Sequence, residues 1–151
     1  MKKAIFLSAL IFSVVFLSAQ SISPISWKFS SKKVADGVYE LQMVADIQTG
    51  WHLYSQSQPK DAIAIPTSFT FNKNPLLTLD GKVAEKGKLE KFTDKDLGVS
   101  ANQYSKQVVF TQRVKAKGKA KTAVTGRVEF QTCDDKKCLP PKKISFSISL
   151  Q

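Results

Sequence analysis

The chain has 151 residues, a formal net charge of +11, 42% hydrophobic residues, 7 Gly and 6 Pro. That is one domain with enough apolar surface for a core, which excludes a disordered chain, a collagen-like chain and a multidomain assembly. Two cysteines are too few to scaffold a disulfide-rich miniprotein, so the fold must rest on its core.

Met1-Lys2-Lys3 is a basic head, and Ala4 to Leu17 is apolar apart from Ser8 and Ser13. Ser18-Ala19-Gln20 then offers small residues to a peptidase. This is the layout of a secretory signal peptide, so residues 1–19 are expected to be removed. The apolar run is short for a membrane span, and no later run approaches about 18 apolar residues. The mature chain is therefore expected outside the cytoplasm, without stable membrane insertion, where disulfides persist.

Period-two alternation dominates the mature chain. Ser26–Ser30 is a short strand candidate. Tyr39, Leu41, Met43, Ala45 and Ile47 then share one parity, with Glu40, Gln42 and Asp46 on the other. Trp51–Ser55, Thr67–Phe71 and Gly81–Glu85 are further short candidates. Lys86 to Gln103 has no clear pattern and is expected to be a long functional or mobile loop. Val108, Phe110 and Val114 oppose Thr111, Arg113 and Lys115, while Val124, Val128 and Phe130 alternate with Thr125, Arg127, Glu129 and Gln131. The cleanest strand sets Ile144, Phe146, Ile148 and Leu150 against three serines. Turns are expected at Asp36-Gly37, Thr49-Gly50, Asn72 to Pro75, Asp80-Gly81 and Lys117-Gly118. Seven to nine short strands of this kind predict an all-β, immunoglobulin-like antiparallel sandwich.

Arg113, Lys115, Lys117, Lys119 and Lys121 recur at every second position around Gly118. This spacing reads first as a solvent face that blocks edge pairing. Few aromatics interleave with these lysines and the chain is exported, so no nucleic-acid partner is expected.

Cys133-Asp-Asp-Lys-Lys-Cys138 lies between the two clearest strands and is followed by Pro140-Pro141. Its residues are compatible with a structural disulfide, a metal half-site or a redox-active pair. Closing a ring of about six residues stabilises a fold by only about 2 kcal/mol, against about 4.7 for a 100-residue loop, so the pair is a poor staple. Zinc normally needs four ligands, and His52 is the single histidine, so no metal is expected. A thiolate needs access and help to ionise, and the loop's two Asp and two Lys cancel.

Cys133 to Cys138 with Leu-Pro-Pro after it and Val128-Glu-Phe-Gln-Thr132 before it resembles a specific active-site hairpin. It is that of the N-terminal periplasmic domain family of the bacterial thiol:disulfide interchange protein DsbD. Gly50-Trp-His-Leu-Tyr54-Ser-Gln resembles that family's Gly-aromatic-x-Leu/Ile-Tyr segment, and the similarity runs in order from Trp27 to Leu150. The resemblance implies an immunoglobulin-like fold and thiol-disulfide exchange. Electrons would come from a membrane DsbD-type donor and pass to thioredoxin-like oxidoreductases, with cytochrome c maturation among the uses. It implies no cofactor and a monomer. By it, Cys138 forms the mixed disulfide with a partner and Cys133 resolves it.

The segment Leu89-Glu90-Lys91-Phe92-Thr93 matches the family's cap loop, which makes Phe92 the candidate cap and Glu90 a candidate neighbour. Tyr54 and His52 would line the cysteine pocket. The chain departs from enterobacterial members in having four residues between its cysteines instead of five, and His52 in place of a phenol. It also ends at Gln151 without an electron-carrying membrane domain, so a separate donor is expected. The competing class is a secreted binding sandwich whose Cys133/Cys138 ring is an inert clip.

Overall fold

The computed structural model describes residues 23–118 and 121–150; the expected signal segment, residues 1–19, and Lys119 lie outside the described residues. Among the described residues nine strands run in order: β1 (Ile25–Ala35), β2 (Val38–Ile47), β3 (His52–Tyr54), β4 (Ser68–Phe71), β5 (Leu77–Asp94), β6 (Val99–Ala116), β7 (Ala123–Phe130), β8 (Thr132–Cys133) and β9 (Lys142–Ser149). Among the described residues no helix is long and apolar enough to cross a membrane. The larger sheet has the order β1-β2-β6-β3-β8, with β5 also on β6, and the smaller has β4-β7-β9. Every pairing is antiparallel, as the immunoglobulin-like reading requires.

Alternation explains the core. Leu41, Met43 and Ala45 of β2 and Val108, Phe110 and Val114 of β6 are fully buried against Val124, Val128 and Phe130 of β7 and Phe146 and Ile148 of β9. Between the layers lies an aromatic seam in which Trp27 meets Phe130 at 5.4 Å and Phe69 meets Phe110 at 5.0 Å, centroid to centroid. Each such side chain contributes about 1.5–3 kcal/mol through burial. Arg113, Lys115, Lys117 and Lys121 are exposed, and Lys115 pairs with Asp80 at 3.2 Å.

β6 is the spine. Its C-terminal half pairs with β2, from Val38↔Lys115 to Asp46↔Gln107. Its N-terminal half carries β3 on the same edge, through Leu53↔Tyr104 and Tyr54↔Gln103. The turn at Gly50, whose φ of +81° suits a residue without Cβ, lets β3 continue along β6 where β2 stops. β5 lies along the opposite edge throughout.

Two expectations fail in the structure. The segment Lys86 to Gln103 is no loop: β5 and β6 continue through it as a hairpin that closes at Asp94↔Val99. The Asp94 carboxylate accepts the N–H groups of Asp96 and Leu97 at 2.9 and 3.0 Å, and so shapes the turn. Asp80-Gly81 does not end a strand; it is a bulge inside β5, where the register shifts between Asp80 and Ala84.

The start of the loop after β3 is pinned by one carboxylate. Glu85 accepts hydrogen bonds from Ser55 Oγ at 2.7 Å, Gln56 N–H at 2.6 Å and Tyr104 Oη at 2.7 Å. Burial, then the bond to Glu85, drives the Tyr104 hydroxyl well above its ordinary 10.0. Tyr104 therefore stays a donor at any working pH.

Candidate functional site

The site forms where the chain changes layers. β7 belongs to the smaller sheet, yet two residues after Phe130 the chain joins the larger one, as β8 pairs with β3 through His52↔Cys133 and Leu53↔Thr132. It returns to the smaller sheet at Lys142, opposite Phe130. Pro140 and Pro141 carry no N–H and cannot extend the ladder, so the excursion ends in an unpaired stiff exit. Gln131 ties down its base, with Nε2 donating to Leu139 O at 3.3 Å and Oε1 accepting from Ile65 N–H at 3.0 Å.

Four residues between cysteines are what a two-residue turn requires, one closing pair on either side of Asp135-Lys136. Asp134 N–H donates to Lys137 O and Leu139 N–H donates to Thr132 O, both at 2.9 Å. Those bonds flank the Cys133↔Cys138 bridge and leave it as the non-hydrogen-bonded pair, where facing side chains come closest. The cysteines are joined by a disulfide, with Cα atoms 4.0 Å apart. Asp134 Oδ1 accepts the N–H groups of Lys136 at 2.8 Å and Lys137 at 2.7 Å. Those two backbone donors hold the Asp134 carboxyl below its ordinary 3.8.

The two sulfurs have unequal surroundings. Cys133 is only 4% exposed and packs with Tyr54, Ala101 and Ala64, whereas Cys138 is exposed. A partner can reach Cys138; Cys133 is covered by its own protein.

Beneath the hairpin, the outer face of the larger sheet gathers the other candidates. Leu53 and Tyr104 point into the core, so Tyr54, His52, Gln103 and Ser105 point away from it. Glu90 and Phe92 on β5 stand opposite Gln103 and Ala101. His52, Tyr54, Phe92, Gln103, Asp134 and Asp135 line a cleft of about 340 Å³. Burial raises the Tyr54 hydroxyl pKa. Phe92 is 47% exposed and, in this position, leaves Cys138 open to solvent.

His52 has polar neighbours on two sides. Its Nδ1 lies 3.0 Å from Ser105 Oγ, and the Ser105 hydroxyl donates to Glu90 Oε2 at 2.8 Å. Its Nε2 lies 3.5 Å from Asp135 Oδ1 on the cysteine turn. All six residues expected at the site thus meet at one end of the sandwich. Sequence reasoning missed Ser105 and Gln103, whose signal is their alternation with the core-facing Tyr104. It also missed Ala64, which nothing in its local sequence marks.

The family model described as thiol:disulfide interchange protein DsbD, N-terminal, matches residues 19–150. Among the solved structures that resemble the fold are two N-terminal domains. One is the reduced DsbD N-terminal domain of Neisseria meningitidis (TM-score 0.54, 19% identity, 83% of this chain and 85% of that one). The other is the N-terminal periplasmic domain of ScsB from Proteus mirabilis (TM-score 0.52, 14% identity, 82% of this chain and 44% of that one). No curated protein sequence matches the chain.

Proposed function

Because the chain belongs to the family of the DsbD N-terminal domain, we propose that it is a periplasmic thiol-disulfide exchange module. It relays reducing equivalents between thioredoxin-like proteins through Cys133 and Cys138. One observation carries this reading: a disulfide on a tight hairpin joins one exposed and one buried cysteine. A partner thiolate attacks Cys138, the ring bond breaks, and its electron pair leaves on Cys133. The partner's second thiol then expels Cys138, which leaves the partner as a disulfide and this chain as a dithiol that needs no cofactor to hold the two electrons. The reverse sequence passes them onward.

Residues 1–19 are the export signal in this reading, and the mature chain works as a monomer. A membrane DsbD-type protein supplies the electrons. Thioredoxin-like oxidoreductases receive them, and cytochrome c maturation is one use. Phe92 acts as the cap and Tyr54 as the pocket wall. Since Phe92 leaves Cys138 open in the present position, Phe92→Ala is expected to speed alkylation of the reduced thiols only about threefold, in keeping with the dependence of thiol reactivity on access. Identical alkylation rates would remove the cap role.

The deciding experiment mixes oxidised protein with a reduced thioredoxin-like domain, quenches in acid and counts free thiols by mass. Transfer within seconds is expected. A bridge that opens only after denaturation would make the ring a clip in a binding sandwich.

A further inference from the structure

The charges within the cysteine turn cancel, yet the attack on Cys138 leaves a full negative charge on a buried sulfur. Something outside the turn must meet that charge. His52 stands directly opposite Cys133 across the β3–β8 ladder, and facing residues in such a pair have Cβ atoms about 4.5–5.5 Å apart.

The ring's orientation comes from a hydrogen-bond inventory. An ionised Glu90 carboxylate only accepts, so the single Ser105 hydroxyl hydrogen goes to Glu90 Oε2. Ser105 Oγ can then only accept from His52, which puts a hydrogen on Nδ1. Nε2 faces the Asp135 carboxylate, which also only accepts, so this contact is complete when the ring carries its second proton. The charged and titratable groups around the ring are Glu90 from β5, through Ser105 of β6, and Asp134 and Asp135 from the turn. Tyr54 from β3 and Cys133 from β8 complete the set. Lys136 and Lys137 of the same turn are exposed. The two groups within hydrogen-bond reach of the ring nitrogens, Ser105 Oγ and Asp135 Oδ1, thus both act as acceptors.

We propose that His52, oriented by Ser105–Glu90 on one side and Asp135 on the other, stabilises in its protonated form the Cys133 thiolate released when a partner opens the disulfide. The inference rests on the exchange reading and deepens it. In the step, the partner sulfur and Cys138 form a bond, the Cys133–Cys138 bond breaks, and the electron pair stays on Cys133 beside the positive ring. The partner sulfur is oxidised as Cys133 is reduced, and no proton moves. Ser105 and Glu90 are positioning residues, acting only through the imidazole.

The test needs no protein partner. Dithiothreitol reduces the oxidised chain, with the rate measured from pH 5 to 8, the range in which histidine changes charge. Rates are divided by the thiolate fraction of the reagent. The wild type is expected to open about tenfold faster at pH 5 than at pH 8 on this corrected scale, because a better-stabilised leaving thiolate departs faster. His52→Gln, which keeps a polar side chain on the sheet surface, is expected to flatten the profile. Ser105→Ala is expected to flatten it in part, and Ser105→Thr to restore it. In a Cys138→Ser background, alkylation of Cys133 at pH 6 is expected to slow about tenfold when His52 is replaced by Gln, through the loss of thiolate. Circular dichroism confirms that each variant is folded.

A corrected profile that is flat in the wild type, or equally sloped in folded His52→Gln, overturns the proposal. Neither result depends on the transfer assay with a thioredoxin-like domain. Failure of transfer with the pH slope intact would instead remove the exchange reading.

Discussion

Cys133→Ser is expected to turn the chain from a relay into a trap. The probe is a thioredoxin-like domain that retains only its exposed cysteine, activated as a mixed disulfide with thionitrobenzoate. Cys138 of the variant, being exposed, attacks that bond and releases the chromophore. A covalent complex then accumulates, since no second thiol can expel the partner. In the wild type Cys133 sits across the hairpin from Cys138 and is expected to cleave the same bond, so that no complex persists. The converse variant sets the scale. Cys138→Ser leaves only Cys133, which is 4% exposed, and its cross-linking is expected to fall at least about 100-fold through loss of access. Equal cross-linking through either cysteine would contradict the asymmetry, and none through either would remove the exchange mechanism.

The second large effect lies far from the sulfurs. Gly126 is the fourth of the eight residues of β7, paired with Phe71 on β4 and Phe146 on β9. A Cβ there would collide with the carbonyl oxygen of Thr70 and would lie 2.7 Å from the ζ carbon of Phe146. The Phe146 ring stacks on Phe29 at 5.1 Å and meets Phe71 edge-on at 5.7 Å, so it cannot retreat without opening the aromatic seam. Thr70 is backbone and could move only by giving up the β4–β7 ladder. Gly126→Ala is therefore expected to cost about 3 kcal/mol, the upper end for overpacking. That lowers Tm by about 10 °C at this chain length, read by thermal unfolding. Gly50→Ala provides the contrast. Nothing lies within 4 Å of its Cβ position, and its penalty is the left-handed backbone alone, about 1–2 kcal/mol. A Gly126→Ala protein that melts within about 2 °C of the wild type would contradict the packing described.

The strands that were legible are those with one dry and one wet face. β2, β7 and β9 alternate because one side meets the aromatic seam and the other meets water. Lys86 to Gln103 defeated that logic for two physical reasons. β5 is an edge strand exposed for much of its length, so Lys86, Lys88 and Lys91 occur with Leu89 and Phe92, both about half exposed. In β6, Gln103 is buried on the outer face and Tyr104 on the inner, so polarity no longer reports orientation there. The same burial hid part of the site. The cysteines announced themselves by spacing, and the residues around Gly50 and Phe92 by resemblance. Ser105 and Asp135 matter only because β5, β6, β3 and the turn lie side by side, a relation between segments that no local pattern carries.

The two backbone hydrogen bonds that flank the cysteine pair do not involve sulfur, and neither does the pairing of β8 with β3. Neither needs the sulfur–sulfur bond, so both are expected to remain when the disulfide is opened. The second thiol is then presented to the first at a very high effective concentration, with the search already removed from the reaction, as in other well-oriented intramolecular steps. A covalent complex with a partner is therefore expected to be brief, with each round of reduction and oxidation running on a folded hairpin.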